Sequence, residues 1–425
     1  MIPAARDEST GGRPALAGAL DREQLGTATG YRTTRLCRSA AEAEQARPEL
    51  SGAAPQVFGT GRLPEVAGIV ATHGTGRVLL VGSDAAVRRS GIERFLPAGT
   101  RRFNGFSPNP RLQDVLDGCD LVARYQPDVV VGVGGGSAMD AAKLARVLPP
   151  GDAGRHAVLH SDVGLLRTDA PALVLVPTVS GSGSEVTRFA TVYDDGRKYS
   201  VDHARVLSTV SIVDPDLAAT CPPAVAFSCV LDALAHAVES YWSLRSTADS
   251  RALAGEALVT LRQIAAGGRR RLDSAARVHI ALSAIRAGRA IDVTRTTAAH
   301  AFAYPTTVRF GVPHGLACGL HLIWLLDHVA SLVETDCVDP RGAEFVTARL
   351  DEIASLLGVE HPKESAHALE SLVAAAGFAT RLGMYGVTGA DTAAIVGDGL
   401  GSVRAGNLPV RLPPDAALTA LRDRL

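Results

Sequence analysis

Asp128-Val129-Val130-Val131-Gly132-Val133-Gly134-Gly135-Gly136-Ser137-Ala138-Met139-Asp140-Ala141-Ala142-Lys143 holds a strand, a turn and a helix start in one stretch. The unbroken valine run reads as a strand buried on both faces, the pattern of a parallel sheet. Three glycines follow at once, and the Ala-rich segment after them is good helix sequence. Ser137 is expected to be the N-cap, with Asp140 three residues on near the positive end of that helix. Consecutive glycines carry an entropic cost, so a use for the bare backbone is the better explanation than a plain turn. Without side chains, Gly134, Gly135 and Gly136 let a pyrophosphate reach the amides of a helix N-terminus. The spacing is not the GxGxxG of an ordinary dinucleotide fingerprint.

The same pattern recurs on either side. Arg77-Val78-Leu79-Leu80-Val81-Gly82, Ala172-Leu173-Val174-Leu175-Val176-Pro177 and Val210-Ser211-Ile212-Val213-Asp214-Pro215 read as further buried strands, and Leu112 to Tyr125 as a helix between the first two. Strand and helix in alternation predict an α/β fold with a parallel sheet covered on both faces. After the strand that ends at Pro177 comes Thr178-Val179-Ser180-Gly181-Ser182-Gly183-Ser184-Glu185, rich in hydroxyls and backbone donors. Ligands of open α/β sheets bind outside the carboxyl ends of strands, so two such loops suggest a dinucleotide cleft.

Beyond Pro222-Pro223 the strand signals stop. Ala224 to Leu272, Arg277 to Thr294, Leu316 to Leu332, Phe345 to Leu357 and Ser365 to Ala375 read as helices, and the proline pair is a natural boundary. Three parts are therefore expected: an extension over 1–50, read as disordered, an α/β dinucleotide-binding domain over 51–221, and an all-helical domain over 222–425.

Composition excludes several classes. The 425 residues are 46% apolar and 20% charged with a net charge of -1, so a basic nucleic-acid footprint is lacking. Arg269-Arg270-Arg271 reads as a solvated helix end or loop. No apolar run reads as a bilayer span, and the first fifty residues lack the apolar segment of a secretory signal. Six cysteines without a CxxC pair look like scattered thiols of a cytoplasmic protein, and no chemistry is assigned to them.

A metal constellation lies in the helical half. Asp232 and His236 stand at i and i+4, on one face of an apolar helix. A buried carboxylate needs a partner, and a divalent cation would supply it. His300 lies in an apolar segment, and His314 follows Gly311-Val312-Pro313 at a helix entry. One Asp and three His suit Fe(II), Zn(II), Co(II) or Ni(II) rather than the oxygen-seeking Ca(II) or Mg(II). The other histidines are read as structural or solvent-facing, although His203 follows Lys198-Tyr199 near the expected cleft.

Taken together, Gly-Gly-Gly-Ser-x-x-Asp-x-x-Lys (134–143), Pro-Thr-x-x-Gly-x-Gly-Ser-Glu-Val-Thr (177–187), Asp-x-x-x-His-Ala-x-Glu (232–239), His300 and Pro313-His314-Gly315 resemble the iron-containing, or group III, alcohol dehydrogenases over roughly residues 57–425. The resemblance implies a Rossmann-like domain followed by a helical metal-binding domain, in a dehydroquinate synthase-like architecture with the site between them. It implies Fe(II) or Zn(II) on Asp232, His236, His300 and His314, with NADH or NADPH phosphates on Gly134, Gly135, Gly136 and Ser137. Thr178, Ser180 and Ser184 would lie along the nicotinamide half, with Asp140 near by. A homodimer is the family expectation. Where many members carry a further histidine, this chain has Tyr304. Phe-x-x-Phe-Ser-Pro-Asn-Pro (103–110) and His-x-x-x-Tyr-Pro resemble most the branch that includes phosphonoacetaldehyde reductases.

The implied reaction is hydride transfer between nicotinamide and a small aldehyde or alcohol. The metal is a Lewis acid there, Asp232 and His236 belong to the catalytic centre as ligands, and the proton comes either from Tyr304 or through water and the cofactor ribose. An anionic substrate would suit cations such as Arg251 and Lys198. Ser83 at the ribose would permit a 2′-phosphate, whereas Asp84 would repel one. The rival readings are a Zn sugar-phosphate cyclase or glycerol-1-phosphate dehydrogenase on a related scaffold, or a binding protein that has lost turnover.

Overall fold

The computed structural model describes residues 36–37, 54–74, 76–268 and 272–425. The extension expected over 1–50, apart from Leu36–Cys37, and the reading of Arg269-Arg270-Arg271 fall outside the described residues. In the first half, nine strands are described: β1 Leu36–Cys37, β2 Gln56–Phe58, β3 Val78–Val81, β4 Arg101–Phe103, β5 Val129–Gly134, β6 Ala172–Pro177, β7 Phe189–Asp194, β8 Arg197–Asp202 and β9 Val210–Val213. Among them run helices α1 Glu65–Thr72, α2 Asp84–Ser90, α3 Leu112–Tyr125, α4 Gly136–Val147 and α5 Gly151–Leu159. Seven strands form one parallel sheet in the order β1-β2-β9-β6-β5-β3-β4, and β7 pairs with β8 as an antiparallel hairpin.

The valine-rich strands alternate between two cores. Val78, Leu80, Val129, Val131, Val133, Val174 and Val176 face one cluster, joined by Val66, Ile69 and Val70 of α1. Leu79, Val81, Val130, Leu173 and Leu175 face the other, against Met139, Ala141, Ala142 and Ala145 of α4. Burial of each such Val or Leu stabilises the fold by roughly 1.5–3 kcal/mol. The strand order reverses between β3 and β5, where Val81 pairs with Gly132. The ends of β3, β5 and β6 therefore lie side by side at a topological switch point, the usual ligand crevice of such sheets.

The second half comprises α6 Pro223–Trp242, α7 Ala248–Ala266, α8 Ser274–Thr294, α9 Ala298–Phe310, α10 His314–Leu332, α11 Ala343–Leu357, α12 Ser365–Ala375, α13 Thr392–Leu400 and α14 Pro414–Arg422. One large apolar cluster joins them. The helix expected over Ala224 to Leu272 is two helices, broken at Ser243–Thr247 where Thr247 caps α7 by accepting from Ser250 N. The expectation that no apolar run is of bilayer length needs correction. The α10 helix is long and apolar enough to cross a membrane, but most of it is buried in this core.

Polar contacts tie the halves together. Arg188 N and guanidinium donate to Asp292 at 2.7, 3.1 and 2.9 Å. Arg289 donates to Ala54 O at 2.7 Å and Gln56 Oε1 at 2.8 Å.

Candidate metal centre and cofactor cleft

α6 opens with Pro223 at its first position, where the missing amide costs nothing, and every residue from Val230 to Trp242 is buried. Asp232 and His236 occupy one face of this helix. α9 delivers His300 and the first residue of α10 delivers His314. Asp232, His236 and His300 are only 7%, 5% and 2% exposed, too little for water to solvate their polar atoms. His300 Nε2 lies 3.4 Å from Asp232 Oδ1, and His314 Nε2 lies 4.0 Å from it. The His236 and His300 rings stack at 4.4 Å, and the His314 ring stands edge-on to His300 at 5.6 Å.

Among the described residues, Asp232 Oδ1, His236 Nδ1 and His300 Nε2 are buried without hydrogen-bond partners. Orphaned polar atoms of this kind are costly, and Asp232, His300, His314 and Cys318 each bring one donor atom within 4.8 Å of the others, with His236 stacked beside them on His300. This donor set fits a divalent transition metal. Burial and the neighbouring positive rings push His236 down to about 4 and His314 to about 3, so both are neutral donors at physiological pH. Burial alone would raise the Asp232 carboxyl, but His236, His300 and His314 outweigh it and hold it ionised. Cys318, one helical turn after His314, also faces the cluster, its Sγ 3.7 Å from His314 Nε2. The sequence reading gave that thiol no role, because a lone buried cysteine carries no pattern.

Glu239 closes the 232–239 motif, but the sequence assigns it no role. It is fully buried at the next turn of α6 beyond His236. Its Oε1 accepts from Thr297 N at 3.1 Å, Thr297 Oγ1 at 2.6 Å and Ala299 N at 2.8 Å, while Oε2 contacts His300 Nδ1. This contact turns Nε2 of His300 toward Asp232, the carboxylate–histidine support common behind metal ligands. Glu239→Gln is expected to weaken metal binding about 10- to 100-fold, as such supporting residues generally do. Chelator competition measures it, and unchanged affinity would remove Glu239 from the centre.

Gly136, Ser137 and Asp140 line the same cleft of about 520 Å³ as Asp232, His236, His300 and His314. Gly134 has φ +147°, and a Cβ there would sit 2.7 Å from that of Ala138, so only glycine makes this turn. The turn starts α4 at Gly136 with Gly135 as N-cap, which corrects the expectation for Ser137. Ser137 Oγ instead accepts from Asn109 N at 3.2 Å, joining the 103–110 segment to the loop. Asp140 does not cap the helix either. It accepts from Ser184 Oγ at 2.6 Å and Thr191 N at 2.9 Å. Ser184 also receives Lys143 Nζ at 3.1 Å, and the fully buried Lys143 donates to Thr187 O and Phe189 O, both at 2.9 Å. The Ser184 hydroxyl therefore braces the loops. Thr178 N closes on Gly134 O at 2.9 Å, and Ser180 lines a neighbouring cavity beside Val179. Ser83 caps α2, accepting from Ala86 N at 3.2 Å, while Asp84 accepts from Arg102 at 2.6 Å.

Tyr304 stacks parallel on His314 at 5.2 Å, and Lys198 Nζ lies 3.0 Å from the Tyr304 ring centre. Both line the cleft, and so does Arg404. Arg251 does not. It packs with Arg341 and Arg349 over the Phe345 ring, where α7 meets α11, because its side chain points away from α6's metal-bearing face. His203 is structural, its Nδ1 accepting from Arg205 N at 3.1 Å.

Two family models match the chain in succession: iron-containing alcohol dehydrogenase over residues 54–215, and the Fe-containing alcohol dehydrogenase family C-terminal model over 226–413. The chain belongs to the iron-containing alcohol dehydrogenase family. It is 37% identical over 264 residues to phosphonoacetaldehyde reductase of Streptomyces viridochromogenes, covering 59% of this chain and 65% of that one, just under two thirds of the relative's length. It is 32% identical over 338 residues to long-chain-alcohol dehydrogenase 1 of Geobacillus thermodenitrificans, covering 76% and 82%. Among solved structures of this dehydrogenase fold, sulfoacetaldehyde reductase from Bifidobacterium kashiwanohense in complex with NAD+ aligns with a TM-score of 0.74 at 25% identity, over 87% of this chain and 96% of that one. A 1,3-propanediol oxidoreductase aligns with a TM-score of 0.74 at 26% identity, over 87% and 97%.

Proposed function

We propose that this dehydrogenase reduces a small aldehyde with NADH or NADPH, and that its substrate is phosphonoacetaldehyde, reduced to 2-hydroxyethylphosphonate. The observation that carries the reading is that the glycine turn and the Asp232, His236, His300 and His314 cluster line one cleft. Asp232, His236, His300 and His314 would hold Fe(II) or Zn(II), which when bound would supply Lewis-acid polarisation of the carbonyl oxygen. The nicotinamide supplies the hydride. The protein's part is to hold both reactants in register and to deliver the proton that the product oxygen takes up.

Tyr304 is the proton donor of this reading. Burial raises its phenol to about 12, so it carries its proton at neutral pH, and stacking on His314 keeps it beside the centre. Tyr304→Phe is expected to lower kcat by about 100-fold, the low end of general acid catalysis, with metal content unchanged. An unaltered kcat across the pH range contradicts that role.

The substrate assignment is supported by the 37% identity to a phosphonoacetaldehyde reductase and by the cations lining the cleft. Initial rates with a panel of phosphonoacetaldehyde, acetaldehyde, propanal and longer aldehydes, with each cofactor, test it. The expected result is a kcat/KM for phosphonoacetaldehyde well above the rest. Higher values for uncharged aldehydes would return the enzyme to simple alcohol metabolism.

A further inference from the structure

Lys198 and Arg404 enter the cleft from different parts of the chain. Lys198 stands on β8 of the hairpin, and Arg404 on the segment after α13. Both are half-buried. Among the described residues neither is in a salt bridge or donates a side-chain hydrogen bond, whereas most cations near by are engaged. Lys198 Nζ rests 3.0 Å from the centre of the Tyr304 ring, and the Arg404 guanidinium lies 5.2 Å from that of Phe189. Arg295, close to Arg404, is occupied by Asp202 at 2.6 and 2.7 Å. Asp140, the carboxylate facing Lys198 in the cleft, is held by Ser184 and Thr191.

Burial first, and then Arg404 close by, push the Lys198 amine well below its ordinary range, and an anion seated between the two groups would offset that cost and favour the charged amine. One ring, that of Tyr304, separates Lys198 from His314, so an anion bound by Lys198 would lie beside the group of side chains that would hold the metal. We propose that Lys198 and Arg404 form an anion clamp for a doubly charged tetrahedral head group on the carbon next to the reacting carbonyl, as in a phosphonate. The clamp rests on the aldehyde-reductase reading above and identifies what selects its substrate. Of the two cations singled out by sequence it keeps Lys198 and replaces Arg251 with Arg404.

The test compares metal-loaded wild-type enzyme with Arg404→Gln, Arg404→Lys and Lys198→Met. The readout is the ratio of kcat/KM for phosphonoacetaldehyde to that for propanal. Arg404→Gln is expected to lower it about 10- to 100-fold, through KM, as loss of one charge-assisted hydrogen bond does. Lys198→Met is expected to act in the same direction, and Arg404→Lys to restore part of the loss. A ratio within about twofold of wild type in Arg404→Gln overturns the clamp, since a lost charged contact is worth more than that. Preference of the wild type for sulfoacetaldehyde, a single negative charge, over phosphonoacetaldehyde overturns the assignment of a dianion. If the wild type turns over neither, the substrate reading fails, and methylphosphonate binding to the NADH complex decides the clamp separately. Binding that weakens at least about tenfold in Arg404→Gln supports it. Equal binding, or none in the wild type, overturns it.

Discussion

Asp232→Ala enzyme is expected to purify with its fold intact, to bind little Fe(II) or Zn(II), and to lose at least about 1000-fold in kcat/KM. Asp232 is the one carboxylate among the four proposed ligands, and its Oδ1 is the atom to which His300 and His314 both turn. Without it, the buried His236 and His300 rings and the partly exposed His314 ring remain with no carboxylate among them to hold a divalent cation. A Lewis acid at a carbonyl oxygen is worth several kcal/mol of transition-state stabilisation, and each 1.36 kcal/mol is a factor of ten in rate, which gives that magnitude. Elemental analysis and circular dichroism separate metal loss from unfolding. Retained metal with turnover within tenfold of wild type would mean that the centre lies elsewhere.

Gly315→Ala is expected to be nearly as damaging, although the residue carries no functional group. A Cβ at Gly315 would lie 1.9 Å from Ser228 O, 2.7 Å from Asp232 Cβ and 2.9 Å from Asp232 N. These are mostly backbone atoms of α6, so α10 must retreat, and His314 retreats with it. Overpacking usually costs about 1–3 kcal/mol, and a clash with backbone belongs at the upper end. An ångström of misplacement at a reacting centre costs about 100-fold in rate. Gly319→Ala is the control, one turn further along the same helix. Its Cβ would meet Leu231 no closer than 3.7 Å, an ordinary contact, and removing a helical glycine gains up to about 1 kcal/mol. Thermal melts of the two variants should therefore move in opposite directions. Equal melting temperatures would contradict the close approach of α6 and α10.

The strands that sequence made legible are those whose both faces are buried, because both faces then demand apolar side chains. β6 was read at its observed bounds, and α3 likewise. The short β4 was not, since Arg101 and Arg102 are exposed on the sheet edge. The β7–β8 hairpin escaped because only one of its faces is apolar, although Asp195-Gly196, with φ +46° and +73°, was the sign of its turn. Pro305 inside α9 hid a helix that tolerates it.

The candidate centre was legible where its residues share a helix or a motif, as Asp232 and His236 do. Ser137 is not the N-cap expected of it, because a hydroxyl in a loop has many partners and sequence does not say which it takes. Arg404 was invisible for a different reason. It reaches the cleft only through the packing of α13 and the segment after it, and no local pattern marks such an arginine.

The most direct test of the account is NADH or NADPH oxidation by metal-stripped protein before and after addition of Fe(II) or Zn(II), with a short aldehyde present. The account predicts no turnover without metal, and recovery that saturates at one metal per chain and is absent in Asp232→Ala. Full activity in the stripped protein, or none in any reconstituted form, would contradict it.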